Sequence, residues 1–260
     1  MSIALTGNHI LDIARGEVAG STLLHKYGLN PAVTSDAGVA VWSANEAYTY
    51  PTEGKVLYAS GSSSDDTTTV VVQGLDSDFL EITGYATLNE VNPVALNDSD
   101  GGSLSFYRVF RAWNSGSTDL TGAFYVSDSD ATLTAGVPGA GEKLAKVDSD
   151  HQQTLMAMYT VPAGKSLILY HIGIECTANT AAAVSTTPQA AQVSLRYREN
   201  GGVWRTKETF TAITLGSNAV DHFFPARAAI PAETDIELYI YGATTTMGVD
   251  GRFWGVLRST

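Results

Sequence analysis

The chain has 260 residues and a formal net charge of −12. Hydrophobic residues make up 44% and charged ones only 16%, which marks a globular rather than a disordered chain, and so acidic a surface repels phosphate backbones and excludes direct nucleic-acid binding. The single cysteine, Cys176, rules out an internal disulfide, and no run of about 18 apolar residues is present to span a membrane as a helix.

The opening residues lack a basic stretch followed by a long apolar one, so no signal peptide is expected and folding in a cytosol is. Residues 1–35 read as an N-terminal arm. Ile10, Leu11, Ile13 and Val18 are apolar, but Gly7, Gly16, Gly20 and Gly28 interrupt them. A short helix from about Asn8 to Ala14, ended by Gly16, fits this stretch; an arm laid on a partner surface fits equally well.

Residues 36–145 read as a first β-sandwich. Thr67 to Gln73 is a β-branched run, Gly74 to Asp78 a turn, and Phe79 to Leu88 a second strand with a bulge expected at Gly84. After the loop Asn97–Gly102, Phe106 to Trp113 forms a strand with aromatic residues on both faces, and Gly122 to Ser127 adds another. Residues 130–150, with Pro138-Gly139-Ala140-Gly141, read as a linker or long connection.

Residues 146–260 read as a second sandwich. Thr154 to Val161 is a strand, Pro162 to Lys165 a turn, and Ser166 to Thr177 a long strand with Ile168, Tyr170, Ile172 and Ile174 on one face. Residues 178–190 form an Ala/Thr loop. Val193, Leu195 and Tyr197 alternate, Glu199 to Gly202 makes a hairpin turn, and Val203 to Ala212 returns. Ile236, Leu238 and Ile240 alternate again, and Arg252 to Arg258 closes the chain. With no long amphipathic helix, the fold class is all-β, an antiparallel β-sandwich of jelly-roll-like type, as two sandwich units plus the arm.

Few residues point to chemistry. Gly164-Lys165-Ser166 lacks the first glycine of a phosphate-binding loop, whose place Tyr159 takes, and precedes a strand rather than a helix, so it reads as a turn. His9, His25, His151, His171 and His222 form no local metal pair, and His171 reads as a satisfied, partly buried side chain. Asp-x-Asp repeats invite a Ca²⁺ reading, best at Asn97-Asp98-Ser99-Asp100, but none continues into an EF-hand loop and the same residues dominate turns for backbone reasons. The tryptophans Trp42, Trp113, Trp204 and Trp254 fit core or interface packing, with sugar stacking as the alternative. No catalytic residue, cofactor or metal is assigned.

Several strings together carry a family resemblance. They are His25-Lys26-Tyr27-Gly28-Leu29-Asn30-Pro31, Thr69-Val70-Val71-Val72-Gln73-Gly74-Leu75-Asp76, the segment from Gln153 to Lys165, Gly202-Val203-Trp204-Arg205-Thr206-Lys207-Glu208, and Ile230-Pro231-Ala232-Glu233-Thr234-Asp235-Ile236-Glu237. From about residue 25 onward the chain resembles a family of virion structural proteins of tailed bacteriophages, common in marine phages. The resemblance implies a capsid decoration (cement) protein or head fibre, commonly a homotrimer, on the capsid surface of a virion assembled in the host cytoplasm. Its implied partner is the major capsid protein. Ile10, Leu11, Ile13 and Tyr27 are the expected capsid-binding residues, and deleting residues 1–30 is expected to abolish that contact while leaving a folded β protein. A tail- or fibre-associated receptor- or glycan-binding protein is the alternative.

Overall fold

The computed structural model describes residues 9–34, 38–178, 189–214, 219–224 and 229–260. A short helix, α1 (His9–Ala14), is closed by the Gly16 amide bonding to the Ile13 carbonyl at 2.9 Å, with Gly16 itself at a φ of 74°. Two strands follow, β1 (Ser21–Val33) and β2 (Val39–Ala40). A run of shorter strands comes next: β3 (Leu57–Gly61), β4 (Thr69–Leu75), β5 (Glu81–Thr87), β6 (Val94–Ala95), β7 (Arg108–Asn114), β8 (Phe124–Asp128), β9 (Leu133–Thr134), β10 (Val137–Pro138) and β11 (Ala145–Val147). The chain ends with β12 (Met158–Thr160), β13 (Lys165–Ala178), β14 (Ala190–Glu199), β15 (Arg205–Ile213), β16 (Ala219–Phe223), β17 (Thr234–Ala243) and β18 (Met247–Ser259).

The long strands make a jelly roll. One sheet runs β1-β18-β13-β16 and the other β12-β17-β14-β15, with β2 added beside β17, and every pairing is antiparallel. The chain passes from sheet to sheet, so the first and last strands lie side by side, which is the two-Greek-key order of that fold. Between the sheets lies one apolar core that includes Leu167, Ile172, Val193, Leu195, Ile236, Leu238 and Phe253. Each such side chain stabilises the fold by about 1.5–3 kcal/mol.

A second sandwich is inserted between β2 and β12. Its sheets run β11-β8-β3-β6 and β5-β4-β7, and they enclose a separate core that includes Leu57, Val70, Val72, Leu96, Phe106 and Phe124. The chain leaves and re-enters the jelly roll along paired segments: Trp42 bridges Met156, and the Ala157 amide donates to the Val41 carbonyl at 2.9 Å. Trp42, Tyr48, Tyr50 and Trp204 run ring to ring beside this exit, with centroids 5.2, 4.6 and 5.4 Å apart.

Several expectations are corrected. The stretch 1–35 is not a free arm: from Ser21 onward it is β1, registered against β18 from Ser21↔Arg258 to Val33↔Met247, because an edge of the jelly roll needs a strand there. Residues 130–150 are not a linker, since they carry the β9–β10 hairpin and β11, which pairs with β8. No bulge occurs at Gly84, whose register opposite Val72 is unbroken; a Cβ there would stand 2.9 Å from Phe106, so close packing explains the glycine. Register shifts occur elsewhere among the described strands, one of them in β13 between Leu169 and His171. It shifts the alternation, so Leu167 and Leu169 face the core before it and Ile172, Ile174 and Cys176 after it, rather than one unbroken face. Residues 1–8 and most of the expected Ala/Thr loop at 178–190 lie outside the described residues.

Candidate docking surface

The outer face of the β1-β18-β13-β16 sheet carries its chemistry in rows. Register places His25, Trp254, His171 and Phe223 opposite one another across all four strands. The ring centroids lie 4.9 Å (His25–Trp254), 5.8 Å (His171–Trp254) and 4.5 Å (His171–Phe223) apart, in keeping with the spacing of neighbouring strands. The bulge in β13 adds a fifth ring, Tyr170, 6.3 Å from Trp254, since the extra residue re-aims a side chain. Trp254 is 41% exposed and Phe223 70%, so both rings present apolar surface, while His171 between them is buried.

The next row is charged. Arg252 lies across Gly173, where a Cβ would stand 2.5 Å from its Nε, and reaches Asp221 at 3.2 Å and Glu175 at 3.3 Å. Asp221 also bonds His171 Nε2 at 3.0 Å, which joins the charged row to the aromatic one. One step further, Asp250 and Glu175 stand directly opposite each other, an unfavourable like-charge pair. Burial, and after it the charge of Glu175, pushes the Asp250 carboxyl above its ordinary value, while a hydrogen bond from Tyr27 opposes that shift. His25 is pushed the other way, below its ordinary value, by burial and then by Arg252.

The four residues expected to bind a capsid do not come together. Ile10 and Leu11 are exposed on α1, Ile13 on the same helix is buried, and Tyr27 sits on β1 one row beyond His25, with its hydroxyl engaged by Asp250. Tyr27 therefore belongs to the sheet face, and α1 packs against β1. Sequence reasoning missed Phe223 and the partnership of Trp254 with both histidines. A closing segment at Arg252 to Arg258 was legible, but its alternation and the cross-strand register that builds the row were not.

The remaining sequence candidates resolve into structure. Asp98 Oδ1 accepts from the amides of Asp100 and Gly102 at 2.9 and 2.7 Å, and Asp76 Oδ1 from those of Asp78 and Leu80, both at 2.9 Å. Asp128 Oδ1 does the same for the Asp130 amide at 3.0 Å, so these repeats close turns through the backbone. Among the described residues no group of three or more His, Cys, Asp or Glu stands close enough to hold a metal ion. Gly164 is a turn residue with a φ of 68°, and β13 begins at Lys165.

No model of a known protein family matches the chain, and no curated protein does. Among solved structures, the chain is similar to that of infectious bursal disease virus, Gt strain, at 13% identity over 92% of this chain and 73% of that one, with a TM-score of 0.24. The structure of the Gx strain follows at 12% identity over 92% and 71%, with a TM-score of 0.21. A third is the VP2 subviral particle of the same virus, at 11% identity, 92% and 76% coverage and a TM-score of 0.12. TM-scores this low carry no argument about shared fold or function.

Proposed function

We propose that this chain is a structural protein of a virus particle, a decoration protein that binds the major capsid protein of a tailed phage through the outer face of its jelly roll. The observation that carries the reading is the exposed aromatic row centred on Trp254, held on a sheet of long strands. Aromatic anchors on a rigid surface are what protein interfaces are built around. Jelly rolls occur in viral shells and in lectins alike, so topology is compatible with the reading and does not decide it. The resemblance of segments such as His25–Pro31 and Gln153–Lys165 to tailed-phage virion proteins favours the shell.

Such a protein stabilises a shell by binding the assembled lattice and not its free subunits, so that mass action favours the lattice. Assembly as a homotrimer would make weak single contacts effectively tight. We assign no catalytic role, and the protein acts on the surface of the virion. The test is occupancy: a Trp254→Ala, Phe223→Ser double variant is added to undecorated shells and bound copies are counted by quantitative mass spectrometry. Loss of occupancy with the fold intact supports the reading; wild-type occupancy removes the face from it. A wild-type copy number far below the number of capsomers places the protein in the tail instead.

One observation favours a second reading, binding of a glycan. Trp254 shares its sheet face with Asp221, the carboxylate bonded to its ring neighbour His171, and an aromatic face near a hydroxyl-binding group suits a sugar ring. A glycan array with calcium present separates the two: a saturable hit that Trp254→Ala abolishes supports the lectin role.

A further inference from the structure

A cleft of about 630 Å³ lies between β1 and the inserted sandwich and reaches His25, the β1 end of the aromatic row. One wall consists of the six successive residues 22–27 of β1. Side chains of a strand alternate between faces, so a cavity that touches six residues in sequence runs along the strand's edge rather than over a face. β1 is an edge strand that pairs with β18 alone among the described strands, so its other side presents unpaired ladder groups to this cleft over about 20 Å.

The opposite wall brings Glu81, Phe110 and Arg111 from the inserted sandwich. Lys26 is buried there, and its ammonium donates to the Phe110 carbonyl and lies 5.8 Å from the Phe110 ring. Arg111 stacks on Trp113 at 4.8 Å. No ion pair among the described residues includes Lys26 or Arg111, in a chain whose net charge is −12. A buried ammonium without a counter-charge is costly and is normally paired. Burial, and after it the charge of Arg111, pushes Lys26 down to about 7, and Glu81, the carboxylate in the cleft lining, is not within ion-pair distance of it.

We propose that this slot takes an extended peptide segment of a partner protein, which adds as a strand to the free edge of β1 and sets a carboxylate side chain against Lys26 and Arg111. Main-chain hydrogen bonds along residues 22–27 would give the affinity and the carboxylate pocket the specificity, as in strand-addition complexes generally. His25 and Lys26 are successive residues and point to opposite faces, so Lys26 lies off the Trp254 face, while His25 and Tyr27 line the cleft as well as that face.

The test uses the whole chain, a pool of capped random hexapeptides and, separately, sodium acetate. Peptides retained by the protein are identified by mass spectrometry and their affinities measured by calorimetry. Retained peptides are expected to carry Asp or Glu, and replacing that residue by its amide is expected to weaken binding about tenfold or more. Amides of residues 22–27 are expected to gain protection from hydrogen exchange on binding. Lys26→Met removes a buried charge, keeps the fold and is expected to lose the acidic preference; Arg111→Gln weakens it. Retained peptides without acidic enrichment, a preference that survives Lys26→Met, binding without protection of residues 22–27, or a pool from which nothing is retained each overturns the proposal. Acetate that raises the Lys26 titration while no peptide is retained makes the cleft a small-anion site and overturns the peptide reading.

Discussion

Arg108 of the inserted sandwich grips Asp235 of the jelly roll with two hydrogen bonds, Nε to Oδ1 at 2.9 Å and Nη2 to Oδ2 at 3.1 Å. Asp235 is fully buried and also accepts from Arg198 at 2.7 Å and Thr160 at 2.7 Å. Arg108 Nη1 donates to the carbonyls of Pro51 and Tyr107, and the guanidinium stacks on the Tyr107 ring at 4.0 Å. Beside it, Glu237 pairs with Arg196 and accepts from the Tyr50 hydroxyl at 3.0 Å. Both carboxylates are paired with guanidinium groups, so the network fixes how the two sandwiches meet.

Breaking one arm of this grip leaves a charge stranded in the interior. Arg108→Met is expected to destabilise the fold by about 3 kcal/mol, the usual consequence of removing one member of a buried pair. Urea unfolding checks it through the shift in midpoint. An unchanged midpoint would show that water or a neighbour replaces the guanidinium.

Cys176 gives a selective report on the jelly roll. It lies in that core, and burial pushes its thiol up to about 11. Since the thiolate is the reactive form, native protein at pH 8 is expected to resist Ellman's reagent and to react only as the jelly roll opens. Prompt labelling without denaturant would contradict the buried placement.

The sequence was legible where local chemistry decides the outcome. The β-branched run at Thr69 to Val72, the turn at Pro162 to Lys165 and the hairpin at Glu199 to Gly202 all stand where their residues require. What stayed hidden depends on distant partners. Gly28 and Pro31 obscure β1, whose strand character comes from pairing with the far end of the chain. The alternation of Ile236, Leu238 and Ile240 was read correctly, which puts Asp235 and Glu237 on the opposite, outward face. Both are nonetheless buried, because the inserted sandwich contributes Arg108 and the exit segment contributes Tyr50 on that side. The aromatic row was hidden for the same reason: each of its residues looks ordinary until register lines them up.

Lys26 makes stability depend on pH in a definite direction. Folded protein releases its proton near pH 7, whereas the unfolded chain holds it to about the ordinary lysine value of 10.5. Between these values the unfolded state binds more protons, so raising the pH favours the folded state. The gain across that window is of order 5 kcal/mol and is expected to vanish in Lys26→Met. Thermal unfolding of both proteins from pH 6.5 upward, read as a difference, isolates this residue from the other titrating groups. Parallel curves would mean that Lys26 is solvated in the folded protein.

Truncation separates the roles of α1 and β1. Removing residues 1–20 takes away the helix and uncovers what Ile13 touches, at an expected loss of about 1.5–3 kcal/mol, and leaves both sheets whole. Removing residues 1–30 also deletes most of β1, turns β18 into an unprotected edge and opens the core beside Phe253 and Val249. The shorter deletion is expected to give a soluble protein with the β-type circular dichroism of the full chain, and the longer one an aggregating product. A monodisperse, folded protein lacking residues 1–30 would restore the arm reading of this stretch. Shell occupancy of the shorter deletion then decides between the two candidate contacts: retained binding leaves the Trp254 face as the contact, and lost binding assigns it to Ile10 and Leu11.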